Sequence, residues 1–134
     1  MKRLLLSSMA VLGAVSLSAT ALAAGGDAAK EAATAADHAQ LAAASQSVAM
    51  TDMHLHHVIN CLVGAGGHGF DAKAGNPCKG MGNGAVRDSS GDKDLHSKAL
   101  KALTVARHGV ASKDLAAAHD AATKVAQILG SSGM

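Results

Sequence analysis

Aromatic side chains are almost missing from this chain: among 134 residues there is one Phe, no Trp and no Tyr. That shortage removes the large rings that dominate many cores, and with them the stacking platforms of single-strand nucleic-acid binders. Proline occurs once, so long uninterrupted helices are permitted. Charge of one sign is scarce as well. Twelve Lys and Arg face ten Asp and Glu, and two of the basic residues, Lys2 and Arg3, sit in a leader-like N-terminus, leaving ten against ten in the rest. A near-neutral chain without clustered Lys and Arg has no electrostatic footprint for nucleic acid, which excludes that class of partner.

What is present begins with MKRLLLSSMAVLGAVSLSATALAA. A basic start, an apolar run from Leu4 to Leu17 and the A-x-A pattern of Ala21 and Ala23 describe a secretory signal peptide over residues 1–23. The run holds serines, falls short of the roughly 20 residues of a membrane span and lacks a positive flank after it. The expected product is a single helical domain over residues 24–134, periplasmic or secreted, with no membrane attachment after cleavage. Its apolar content is mostly alanine, so the core is expected to be thin. Cys61 and Cys78, in an oxidising compartment, are expected to pair as a disulfide that adds about 3 kcal/mol by closing the loop between them.

The pattern is all-α: a small helical bundle with a long Gly-rich loop. Asp27 is a natural N-cap, and neither Gly nor Pro interrupts the run from Ala28 to Val63. It reads as one helix over 28–63, or as two if the serines, threonine and aspartate of Ser45 to Asp52 recap the chain. Leu41, Ala44, Val48, Leu55, Val58, Ile59 and Leu62 form its apolar stripe. Residues 64–91, GAGGHGFDAKAGNPCKGMGNGAVRDSSG, are too rich in glycine for regular structure and read as a tethered loop. Gly64, Gly66 and Gly69 spell G-x-G-x-x-G, but no strand precedes them and no helix opens on them, so a dinucleotide site is excluded. Asp92 caps a helix over 93–108, ended by Gly109; Ser112 caps another over 113–129. The two form an antiparallel hairpin.

The candidate chemistry lies in MTDMHLHHVINC, residues 50–61. At about 100° per residue, Met50, His54, His57 and Cys61 form a line well away from the apolar stripe, and their spacing of four, three and four lets one helix offer two ligands to one ion. His56 points off this line. Imidazole suits Zn²⁺, Cu²⁺ and Ni²⁺, whereas thioether and thiolate favour Cu⁺, so the set leans toward copper over zinc or nickel. Reduced Cys61 and Cys78 would instead complete a Cys₂His₂ zinc set with His54 and His57. If they are paired, the loop is folded back over the histidines, and His68, Asp71 or Met81 can be carried to the ion. His96 and His119 are the ligands the C-terminal hairpin can offer; His119 is expected level with Leu103, which gives that hairpin no histidine pair. His108, at a helix end, needs no role beyond its favourable interaction with the helix dipole. His38 lies about 24 Å along a straight helix from His54, which excludes it.

The segments AADHAQLAAA and ALKALTVARHGVASKDLAAAHDAATKVAQIL resemble the alanine- and histidine-rich antiparallel helices of small periplasmic metal-binding proteins. The resemblance implies a helical bundle that holds copper or other divalent ions. This chain departs from that pattern in having fewer histidines and an added loop with two cysteines, which favours one defined site over many. The leading expectation is therefore a metal chaperone, buffer or sensor that meets a protein partner for transfer. Two others compete with it: a disulfide-tethered helical adaptor whose histidines are merely solvated, and noncovalent haem binding through two histidines. The chain has no C-x-x-C-H, and an alanine core offers haem little apolar crevice. No G-x-S-x-G or H-E-x-x-H is present, so no enzyme is expected.

Overall fold

Among the described residues, five helices account for the regular structure: α1 (Ala28–Ala44), α2 (Val48–Val63), α3 (Ala85–Asp88), α4 (Lys93–Ala111) and α5 (Leu115–Gly130). The computed structural model describes residues 26–130, among which there is no strand. The expected signal peptide lies outside the described residues. None of the described helices is long and apolar enough to cross a membrane.

The first helical stretch is not continuous. Ser45 leaves helical geometry with ψ 148°, its hydroxyl donating to Leu41 O at 2.7 Å. Ser47 then starts α2 by accepting the amide of Met50 at 3.3 Å, and Thr51 donates its hydroxyl back to Ser47 O at 3.0 Å. Serine competes with the helix for backbone hydrogen bonds, and here it wins at both ends of a three-residue turn. The single helix over 28–63 is thus replaced by two that pack along each other as an antiparallel hairpin.

The break also resets which face each half buries. In α2 the expected stripe holds, with Leu55, Val58, Ile59 and Leu62 all buried. In α1 it does not: Leu41 is 49% exposed, and the buried face is Ala32, Ala35, Ala36, Ala39 and Ala42. Alanines give little area each, roughly 0.8 kcal/mol per buried carbon, but they let α1 lie close against both α2 and α5.

The C-terminal hairpin differs from expectation at its turn. Gly109 sits inside α4 and is buried. A Cβ there would stand 2.7 Å from Leu55 Cδ1 and 2.9 Å from Ala121 Cβ, so this glycine is where α2, α4 and α5 converge, not a stop signal. The helix therefore runs on to Ala111. Asp114, not Ser112, caps α5, accepting the amide of Ala117 at 2.9 Å.

The loop over 64–91 carries one helical turn, α3, and is fastened at several points. Cys61 and Cys78 form a disulfide. Asn60, fully buried, donates to Asp71 O at 2.7 Å and Gly75 O at 2.6 Å and accepts the Asp71 amide at 2.8 Å. Further along, Glu31 on α1 is 1% exposed and accepts the Gly84 amide at 3.0 Å. Burial, with the neighbouring Asp88 and Asp27 carboxylates adding to it, raises the Glu31 pKa, while the Gly84 bond opposes the rise.

Candidate metal centre

The turn at Ser45 to Ser47 brings together residues that a straight helix would separate. His38 stands seven residues before the turn and His54 seven after it, so the two face each other across the hairpin. Their Nδ1 atoms are 3.3 Å apart, and His57, one turn further along α2, brings its own Nδ1 to 3.2 Å from that of His38. The excluded histidine is thus the centre of the group, because the distance that excluded it assumed a helix that does not exist. One nitrogen from each of the three rings lies within 4.8 Å of the others. Two nitrogens at 2.0–2.1 Å from a tetrahedral ion are about 3.3–3.4 Å apart, so both contacts to His38 have the length of ligand-to-ligand edges.

The protons on these rings follow from their partners. His57 Nε2 lies 2.5 Å from Ala74 O, and a carbonyl only accepts, so this nitrogen carries the hydrogen and Nδ1 keeps its lone pair. A backbone carbonyl on the outer nitrogen is the usual brace of a metal-binding imidazole. A single proton on His38 Nδ1 can point at only one of its two neighbours. Burial, and after it the neighbouring His57 and His54, push the His38 pKa down, with Asp37 pulling the other way. Burial and then His57 lower that of His54. Both rings are therefore held toward the neutral, ligating form.

The expected line along α2 divides into two parts. Its first half, His54 with His57, faces His38. Its second half, with Asn60 beside it, fastens the loop: Cys61 is in the disulfide and is no thiolate donor. His57 belongs to both, since its outer nitrogen holds Ala74. Met50, one turn before His54, is 47% exposed.

The remaining candidates are placed elsewhere. His119 falls opposite Arg107, next to His108, rather than opposite Leu103, because α5 begins later and α4 ends later than expected; its Nε2 donates to Ser45 O at 2.8 Å. His96 Nδ1 lies 2.8 Å from Val86 O, where it ties α4 to α3. His68 is exposed, and its carbonyl accepts from Arg107 at 2.9 Å. Asp71 approaches His56 at 3.7 Å, and Met81 Sδ lies 3.8 Å from the Thr34 hydroxyl. Asn60 was not singled out by its sequence context. No family model, curated protein or solved structure matches the chain.

Proposed function

We propose that this protein binds one transition-metal ion through His38, His54 and His57 and carries it between partners in an oxidising compartment. The observation behind this reading is the convergence of three half-buried ring nitrogens from two helices on one point, with His57 braced from behind by Ala74. Three protein ligands leave a tetrahedral ion one open position, which a donor from a delivering or receiving protein can fill. Imidazole ligation suits Cu²⁺, Zn²⁺ and Ni²⁺, and Cu²⁺ stands highest among them in affinity. With Cys61 in a disulfide, the thiolate that would have drawn Cu⁺ is withdrawn, so Cu²⁺ is the favoured cargo and Zn²⁺ the next. The disulfide suits an exported chain, and a signal peptide over residues 1–23 would deliver it. Carriage is the reading because the three rings are half-buried, near enough to the surface for a partner's donor to reach the ion.

The test is a calorimetric titration of metal-free protein with Cu²⁺ and Zn²⁺, alongside His38→Ala, His54→Ala and His57→Ala. One ion per chain is expected, each single substitution weakening it by more than the roughly 10- to 100-fold typical of losing an outer partner. His108→Ala should bind like the parent protein. Equal uptake by the triple variant would remove the metal reading and leave the tethered adaptor in its place.

A further inference from the structure

The glycine loop and the C-terminal half of the molecule enclose a second feature that the metal reading leaves unused. A cavity of about 280 Å³ is lined by Val63, Gly66, Gly67, His68, Asn83, Val86, Arg87 and Arg107, and by no carboxylate. Arg87 comes from α3 and Arg107 from α4, so two separate elements each bring an arginine to the lining of one concavity. Neither arginine is in an ion pair among the described residues. Arg107 spends one N–H on His68 O, which leaves the rest of its fork available. The Arg87 side chain has no hydrogen-bond partner among the described residues.

The wall of the cavity is shaped by glycine. A Cβ on Gly67 would lie 2.1 Å from Val63 O, so only glycine lets the loop turn this tightly against the end of α2. A Cβ on Gly66 would meet nothing within 4 Å, which leaves that side of the cavity open to a ligand. Val63 and Val86, both half-buried, give the cavity an apolar part. Asp88 is the nearest acidic side chain by sequence, but its oxygens are taken up by the Asn83 amide at 2.6 Å and the Asn83 side chain at 3.3 Å.

We propose that this cavity is a binding site for a small organic oxyanion, held by Arg87 and Arg107 with its carbon portion against Val63 and Val86. Two like charges facing one concavity repel, and an anion between them turns that repulsion into two charge-assisted contacts. Guanidinium is suited to this because its planar fork matches both carboxylate and phosphate oxygens. The volume, about 280 Å³, is just under the range of about 300–1,000 Å³ typical of drug-sized ligands, so the site suits a small compound.

The experiment is calorimetry on the whole metal-free protein at constant ionic strength, with inorganic phosphate and succinate as probes and sodium chloride as the control. A saturable one-site isotherm is expected for at least one probe. Response to phosphate alone assigns a phosphoryl ligand, response to succinate alone a carboxylate, and response to both a general oxyanion site. Arg87→Gln and Arg107→Gln should each weaken binding by about tenfold or more, and the double variant should abolish it. Lys124→Gln, on α5 in a separate cavity bordered by His108 and Asp120, should leave it unchanged, and Arg87→Gln should leave Cu²⁺ uptake unchanged, which separates this site from the metal centre. If Arg107→Gln unfolds through loss of its bond to His68, Arg87→Gln alone decides, since its side chain holds no other residue. No saturable binding of either probe up to about 10 mM, or undiminished binding in Arg87→Gln, overturns the proposal.

Discussion

In the α1–α2 hairpin three residues, Ser45 to Ser47, reverse the chain and set His38 level with His54; in the α4–α5 hairpin Ser112 to Asp114 bring His108 and His119 to within one residue of level. The first pair meets at 3.3 Å. The second does not: His108 is exposed, and His119 turns away to donate to Ser45 O. Closeness in height along a hairpin is therefore not enough to make a site, because rotation about each helix axis decides whether side chains converge. The second hairpin contributes by bracing: His119 holds the turn of the first, and Gly109 lets Leu55 of α2 settle between α4 and α5. One hairpin presents donors and the other fixes where they stand.

The largest way to disturb this division is through the disulfide. Replacing Cys61 and Cys78 together by alanine should cost about 3 kcal/mol of stability in denaturant unfolding. It should also weaken Cu²⁺ or Zn²⁺ binding by roughly 10- to 100-fold, because Ala74 is carried on the loop that the disulfide closes. An undiminished metal affinity would show that Ala74 does not brace His57. Next comes Gly109→Val, which forces a side chain into the space of Leu55 and Ala121. It should lower stability by about 1–3 kcal/mol while leaving the metal stoichiometry intact, as read by thermal unfolding and titration.

The two caps provide a finer comparison. Ser47→Ala and Asp114→Ala should each cost about 1 kcal/mol. Only the first should also lower metal affinity, because Ser47 sets the start of the helix that carries His54 and His57. Equal affinities in both variants would break the contrast between the hairpins.

The smallest effect concerns pH. The folded pKa values of His38 and His54 lie below the unfolded value near 6.5. The unfolded chain therefore binds protons more readily, and stability falls as pH drops from about 6.5 toward the lowered folded values. Urea unfolding of the metal-free protein between pH 7.5 and 5.5 should show this slope, and it should flatten in His38→Gln. Glu31, with its pKa raised above 4.5, acts in the opposite sense: its contribution is complete below that value and fades as pH rises through the folded one. Glu31→Gln should remove that fade.

Much of this architecture can be read in the residues. Asp27 and Asp92 cap the helices they were expected to cap, and the α2 stripe from Leu55 to Leu62 is the core face. The disulfide was expected from two cysteines in a chain read as exported, and it is present. The site was half legible: His54 and His57 share a face because of local spacing, which sequence carries directly. His38 was not, since its role depends on whether two serines outcompete an otherwise unbroken alanine run. That balance amounts to a few hydrogen bonds. Gly109 illustrates the same limit, because the residue that ends helices is also the one that lets helices touch, and only the neighbour across the gap distinguishes the two. Asn60 offered no pattern at all, as its partners are backbone groups 11 and 15 residues away.

The ring closed by Cys61 and Cys78 contains Lys73, an exposed residue on its outer surface. A trypsin cut after this lysine would sever the backbone without separating the halves. The nicked protein would travel as one species in electrophoresis until a reductant divides it, so an intact band is no proof of an intact chain.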